Sequence, residues 1–355
     1  MNPTAAAEVD ARTAKLHASA TVIDTQGVGV LLPYVHLPQP AYEGRAYIDR
    51  AISGGLTVMN TTMGVGGISS GVDDLRALLN SMYGYQVYFR LHADKLMLIE
   101  SVADIESAKA TGKLGIIFGV QNIAPKIDRD LTLLWNLYKL GLRIAQFTHN
   151  HLNELGCGCL EQNDTGLTEL GKAAVREMNR IGLVVDLAHG SMRSALDAME
   201  ASEVPIMISH ANARAVTPHK RNVTDDVIRA LAQRGGVLGI TFYSPFCQTN
   251  PGRQPSVVDV VDHIAYVANL VGVDHVGIGS DHFESESEVR YAAFGAQFAD
   301  TQRGFTRENV YADGIERVEK LPNLTAELLR RGFSDEEVRK ILGGNHSRVF
   351  KAVWK

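Results

Sequence analysis

Two apolar runs in the middle of this chain each stop at a histidine. Leu183-Val184-Val185-Asp186-Leu187-Ala188 ends at His189, and Pro205-Ile206-Met207-Ile208-Ser209 ends at His210. Neutral imidazole is a preferred ligand of zinc and related transition metals, so a pair at neighbouring strand ends suits a metal site. Other apolar runs close on polar residues in the same way: Gln26, Gln121, His149, Tyr243 and Asp281. His189, His210 and Asp281 make a set of two imidazoles and a carboxylate, which leaves a position open for water. A metal so held lowers the pKa of its water to about 7 and polarises a carbonyl. Asp281 also reads as a group just off the metal, moving a proton from water to a leaving amine. His149 is placed to donate to a developing oxyanion. Arg221, in His219-Lys220-Arg221-Asn222, is placed to clamp a substrate carboxylate with two parallel bonds. Asn222 beside it and Tyr243 are further candidates for substrate contact, and Gln121 for metal contact. His282 and His346 read as structural.

The elements that must carry these residues recur along the chain. Between the two histidine-ended runs, Ser191 to Glu200 has Met192, Ala195, Leu196 and Met199 at helical spacing, which gives a strand–helix–strand unit. Similar short apolar runs lie at Thr21-Ile23, Gly55-Asn60, Leu114-Val120, Arg143-Thr148, Gly236-Tyr243 and His275-Gly279. Helical patterns separate them, at Ala46 to Ser53, Leu131 to Leu140, Thr168 to Arg180, Asp225 to Arg234 and Val257 to Val271. Val72 to Ala108 reads as one long, mostly helical stretch. Strands alternating with helices imply a parallel sheet, and the count of such units is the one that closes a (β/α)8 barrel. An open doubly wound sheet fits less well, because no Gly-rich phosphate loop follows the first strand. In a barrel the polar strand ends share one mouth, where chemistry collects. Residues 1–355 are expected to form one barrel domain, with 314–355 as a C-terminal helical extension. Ser334 and Glu337 there make a capping box, and Gly343-Gly344-Asn345 is expected to end the helix. Phe283 to Arg307 is a candidate lid or partner-contacting loop.

The chain has 355 residues, 45% hydrophobic and 21% charged, with a net charge of −5. That is an ordinary globular composition, without the basic block of a nucleic-acid binder. No apolar run approaches the roughly 20 residues of a bilayer span. Met1 to Ala20 is Ala-rich but broken by Glu8, Asp10, Arg12 and Lys15, so it has no signal-peptide core and a cytoplasmic location is expected. The odd count of cysteines, Cys157, Cys159 and Cys247, argues against a disulfide framework. Cys157 and Cys159 read as reduced loop thiols, because a structural zinc site would need a second cysteine pair.

At these residues the chain resembles the membrane (renal) dipeptidase family, a branch of the metal-dependent (β/α)8 hydrolases. The resemblance rests on Phe147-Thr148-His149-Asn150, Asp186-Leu187-Ala188-His189, Ile208-Ser209-His210, Arg221 to Val227 and His275 to Asp281. It continues through Leu328 to Ser334 and Ile341 to Asn345 to Phe350, and so spans about Ala20 to Phe350. The family has a two-zinc site and cleaves dipeptides. The resemblance implies that His189 and His210 ligate one metal and that Asp281 is the carboxylate at the other, handling the proton. It also implies that His149 steadies the tetrahedral intermediate, that Arg221 holds the substrate's terminal carboxylate and that the protein is a homodimer. The departures are on one side of the site. Gln26 and Val28 stand where the family has His-x-Asp, and Gln121 stands where it has a bridging Glu. A neutral amide is a weak zinc ligand, so the expectation is a divergent, bacterial-type member with one zinc ion per chain rather than two. His189 and His210 would hold it, with Asp281 or Gln121 completing the site.

The leading expectation is therefore a metallohydrolase acting on a small amide or dipeptide-like substrate that carries a carboxylate. Two rivals stand beside it. One is another single-metal reaction on the same scaffold, such as deamination, lactone opening or a tailoring step in secondary metabolism. The other is a non-catalytic binding protein that keeps Arg221. Substrate choice is expected to lie with the loops Leu31 to Tyr42, His151 to Asp164 and Ser244 to Ser256.

Overall fold

The computed structural model describes residues 10–27, 41–42, 44–63, 74–250, 252–284, 306 and 308–355. Val28, Pro33, Tyr34 and His36, and most of the stretch from Phe283 to Arg307, lie outside the described residues. Eight parallel strands close into a barrel: β1 (Ile23–Gly27), β2 (Val58–Met63), β3 (Leu114–Val120), β4 (Leu142–Gln146), β5 (Val184–Asp186), β6 (Met207–Ala211), β7 (Val237–Ile240) and β8 (Val276–Ile278). The ring runs from β1 through β8, β7, β6, β5 and β4 to β3, and β3 closes it by pairing with β2 from Val58↔Gly115 to Met63↔Val120. Every residue of these strands is buried. Helices cover the outside and side chains fill the inside, so both faces of each strand are dry. That is why the runs are almost continuously apolar rather than alternating.

The eight expected strands are all present, and the (β/α)8 class stands. One stretch is different from the sequence reading. Val72 to Ala108 is not one helical stretch but a helix Leu75–Leu91, a short strand Leu96–Leu98 and a second helix Val102–Thr111. The extra strand lies outside the ring and pairs with the first half of β3, Leu96↔Leu114 to Leu98↔Ile116. A three-residue apolar run carries too little periodicity to separate strand from helix.

Several of the intervening helices start at side-chain caps. Thr168 accepts from the Gly171 N–H and Ser191 from the Ser194 N–H. The end of the C-terminal segment packs on the barrel's far end. Its last helix, Asn345–Val353, sets Val349, Phe350 and Val353 against Ile23, Val58, Ile117, Ile144, Val184, Met207 and Val237. These are residues near the strand starts, so the helix plugs that end and leaves the strand C-termini as the open mouth. The expected helix end at Gly343-Gly344-Asn345 is instead a kink: a π-helical turn spans Lys340–Gly344 and a helix follows directly. A Cβ on Gly343 would sit 2.4 Å from the Thr21 carbonyl oxygen, so only glycine lets the turn approach β1.

Two seams of the ring are laddered less than the rest. β5 and β6 share only the register pair Asp186↔Met207, and β1 and β8 only Asp24↔Ile278. β1 and β8 meet again at the mouth, where Gly27 bridges His282 and the Asp281 N–H donates to the Gln26 carbonyl.

Candidate active site

The mouth is built from strand ends. His189 and Asp281 follow β5 and β8 with φ of 64° and 61°, a left-handed backbone that costs about 1–3 kcal/mol in a non-glycine residue. Such strain persists only where surrounding contacts over-determine it, and it turns each side chain away from the direction the strand would give.

Three imidazoles cluster there. The His149 and His189 rings stack with centroids 4.2 Å apart, and the His189 and His210 rings meet edge-on at 4.9 Å. His189 Nδ1 lies 2.7 Å from Asn150 Oδ1, an acceptor, so Nδ1 carries the proton and Nε2 the lone pair. His210 Nδ1 lies 2.7 Å from Ser209 Oγ, whose own proton goes to Asp186 Oδ2 at 2.5 Å. A hydroxyl has one proton to give, so here too Nδ1 donates and Nε2 is bare. Gln121 Nε2 is 3.5 Å from His210 Nε2, at the outer limit of a hydrogen bond. Burial, reinforced by the nearby Arg221 guanidinium, holds the pKa values of His189 and His210 well below the usual imidazole value. His149 keeps part of its surface open, yet burial, with Arg221, His151 and Lys126, pushes it down to about 3. All three rings are therefore neutral near pH 7.

Burial raises the Asp281 carboxyl to about 7, against the pull of Arg221. Its backbone is pinned on both sides: its N–H donates to the Gln26 carbonyl and its carbonyl accepts from the Tyr311 hydroxyl. Arg221 is 2% exposed. One guanidinium nitrogen, Nη2, reaches the His210 carbonyl at 3.4 Å, the group lies over the Phe246 ring at 5.2 Å, and Nε has no hydrogen-bond partner. An orphaned, buried cationic donor beside three neutral imidazoles can receive an anionic group.

One expected substrate contact is fully engaged within the fold. Asn222 is fully buried, with Nδ2 donating to the Thr217 and Phe246 carbonyls and Oδ1 accepting from the Asn212 N–H. This moves Asn222 from substrate contact to brace of the loop that presents Arg221. The Tyr243 ring is buried between Phe246, at 4.8 Å, and Tyr311, at 6.3 Å. His282 and His346 are buried and bond the Ile315 and Ile278 carbonyls. The sequence reading missed Asn150, Asp186 and Ser209. Their signal was present: a polar residue inside an otherwise apolar run, or directly after a candidate histidine.

The donors present fit half of a metal site. The two bare, neutral Nε2 atoms of His189 and His210 are what a transition metal requires. Among the described residues, however, no three His, Cys, Asp or Glu side chains come together as a metal-binding group. The side where the family's other ligands would stand is closed by amides. Gln26 is buried and its Nε2 donates to Thr62 Oγ1 at 2.7 Å, while Asn60 Nδ2 donates to the Thr25 carbonyl.

A parallel barrel with histidines, a buried arginine and a strained carboxylate at its strand C-termini defines the class of barrel hydrolases. Within it, the chain belongs to the membrane dipeptidase family (peptidase family M19), whose sequence model matches residues 3–355. Dipeptidase tcpJ of Claviceps purpurea is 32% identical over 270 residues, 76% of this chain. Dipeptidase aclJ of Aspergillus oryzae is 34% identical over 264 residues, 73% of this chain. The match spans 58% and 57% of the lengths of these relatives. Among solved structures, an amidohydrolase from Pseudomonas aeruginosa superposes with a TM-score of 0.82 at 30% identity, over 96% of this chain and 99% of that one. A metallo peptidase from Rhodobacter sphaeroides, liganded with a phosphinate mimic of the dipeptide L-Ala-D-Ala, shares the fold at a TM-score of 0.77 and 21% identity, over 94% of this chain and 99% of that one.

Proposed function

We propose that this protein hydrolyses the amide bond of a small, dipeptide-like substrate bearing a free carboxylate, with one metal ion held by His189 and His210. The observation that carries the reading is the matched state of the two imidazoles: both Nδ1 atoms are engaged by acceptors, and both rings are neutral with Nε2 free. Gln121, whose amide lies 3.5 Å from His210 Nε2, is the third donor, because Asp281 does not group with the two histidines. Zinc as the ion and a homodimer as the assembly are supported by the family resemblance. A bound zinc-type ion would supply an acidified water and a polarised carbonyl.

The chain's own residues supply the rest. Arg221 fixes the substrate carboxylate through its unpaired Nε, and thereby sets the scissile bond relative to the histidines. His149 is neutral and donates a hydrogen bond to the oxygen that gains charge as the carbonyl carbon becomes tetrahedral. Asp281, with its carboxyl near 7, takes a proton from the attacking water and returns it to the departing amine nitrogen. The neutral amides of Gln26 and Gln121, standing in place of the family's ligands, give a second ion no charge at those two positions.

Metal analysis of the purified chain, paired with hydrolysis of an unblocked dipeptide and its C-terminal amide, tests the reading. We expect about one zinc per chain, loss of it in His189→Ala, and a strong preference for the free acid that Arg221→Met removes by raising KM at least tenfold. Two ions per chain would refute the single-metal site. No bound metal, together with chelator-insensitive ligand binding, would favour a non-catalytic binding homologue, which the absence of a three-donor cluster among the described residues also favours.

A further inference from the structure

The two thinly laddered seams carry the same side-chain device. At the β5–β6 seam, Asp186 Oδ1 accepts from the Ala188 N–H at 3.0 Å and the Ser209 N–H at 2.8 Å, and Oδ2 accepts from Ser209 Oγ at 2.5 Å. At the β1–β8 seam, Asp24 Oδ1 accepts from the Gln26 N–H at 3.1 Å and the Ser280 N–H at 2.8 Å, and Oδ2 accepts from Ser280 Oγ. Each aspartate thus binds the N–H two residues further along the chain, and both the N–H and the hydroxyl of a serine in or just after the neighbouring strand. At these sparsely laddered seams the buried carboxylate supplies an acceptor for these backbone N–H groups. In both cases the residue after the serine is one the site uses: His210 after Ser209, Asp281 after Ser280.

The two devices touch. Thr25, next to Asp24, has its Oγ1 2.7 Å from the Ser209 carbonyl oxygen and 2.8 Å from that of Ile278, and shares its one hydroxyl proton between them. A Cβ on Gly279, next to Ser280, would lie 1.7 Å from the Ser209 carbonyl oxygen. The serine of one clamp therefore packs on the backbone of the other across the barrel interior. A shift of either strand end moves both.

We propose that Asp186–Ser209 and Asp24–Ser280 are a coupled pair of positioning clamps that set His210 and Asp281 together, and that the first clamp also fixes which nitrogen of His210 carries the proton. What His210 and Asp281 then do rests on the hydrolase reading above; the clamps are positioning residues. The proton chain has a direction. Asp186 takes the Ser209 hydroxyl proton, so Ser209 Oγ must accept from His210 Nδ1–H, and Nε2 is left bare for a ligand.

Asp186→Asn reverses that direction in a predictable way. Its Oδ1 must still accept the two backbone N–H groups, so its amide nitrogen faces Ser209 Oγ and donates to it. The serine proton then turns to His210 Nδ1, and the ring proton moves to Nε2. The test is ring-nitrogen NMR on metal-free, full-length protein, together with zinc affinity by competition with a chromophoric chelator. We expect the parent to show His210 protonated at Nδ1, Asp186→Asn to show it at Nε2, and Ser209→Ala to show a mixture. Zinc affinity should fall roughly 10- to 100-fold in both variants, the usual effect of losing an outer-shell partner, and Ser209→Thr should restore it. Ser280→Ala should keep the His210 tautomer and lose kcat with KM retained. A Nδ1–H tautomer that persists in Asp186→Asn, or in Ser209→Ala should Asp186→Asn not fold, would overturn the first clamp, and unchanged kcat in Ser280→Ala the second. A parent that cleaves no dipeptide would sink the hydrolase reading alone, because the tautomer readout needs neither metal nor turnover.

Discussion

At the scale of single residues, the site is held in states that water would not give. Asp281 has a left-handed backbone and a carboxyl that burial raises from 3.8 to about 7. Its sign is unfavourable for stability. Between those two values the folded state holds a proton that the unfolded state has released, so stability falls as pH rises across the interval and stays lower above it. Asparagine removes the ionisation and tolerates the left-handed backbone better. Asp281→Asn should therefore raise the Tm of metal-free protein, by more at pH 8 than at pH 5, while abolishing turnover. Thermal scans at the two pH values decide it: a Tm gain equal at both would show that burial of the ionised carboxylate carries no cost here. A stability gain with lost activity is the expected trade at a functional position.

At the scale of elements, the last helix stoppers the barrel. Phe350 is fully buried and stacks on Trp354 with centroids 4.3 Å apart, beneath the strand starts. Truncating such a ring leaves a cavity, with a cost of about 3–5 kcal/mol. Phe350→Ala should lower the denaturant midpoint accordingly and leave KM unchanged, because the reacting residues are at the opposite strand ends. A Phe350→Ala protein of unaltered stability would mean that the helix does not close the barrel. Elements also explain which sequence expectations needed revision. The Leu96–Leu98 strand was invisible because three residues show no period, whereas the seven-residue β3 was plain. The Gly343 turn looked like a helix end because glycine usually marks one; its close approach to β1 is a tertiary fact.

At the scale of the whole molecule, buried neutral histidines make the fold acid-sensitive. Burial pushes His263 and His346 down to about 3 from 6.5. His263 Nδ1 accepts from the Ala213 N–H while Nε2 meets Thr217 Oγ1, an arrangement that needs the neutral ring. For a depressed pKa, the unfolded chain takes up the proton first as pH falls. The stability these groups contribute is present above about pH 6.5 and is lost progressively down to about pH 3. Unfolding free energy measured from pH 7 to pH 4.5 should decline steeply, and His263→Gln should flatten that slope whatever it does to stability at pH 7. An unchanged slope would remove His263 from the account. Over the described residues no helix is long and apolar enough to cross a membrane.

The sequence by itself determined the barrel and the identity of the mouth. Dry strands in a parallel ring must be apolar throughout, so each polar residue that ends such a run is displayed against a hydrophobic background. That is why His149, His189, His210, Gln121 and Asp281 were legible before any coordinates. Tertiary structure decided how those residues are held. Nothing in the spacing of Asp24 from Ser280, or of Asp186 from Ser209, announces a shared clamp, because the pairing exists only once the fold sets β1 beside β8 and β5 beside β6. Asn222 shows the same limit. Its neighbour Arg221 keeps a free donor while its own amide is fully engaged, a distinction made by which carbonyls the folded loop brings within reach.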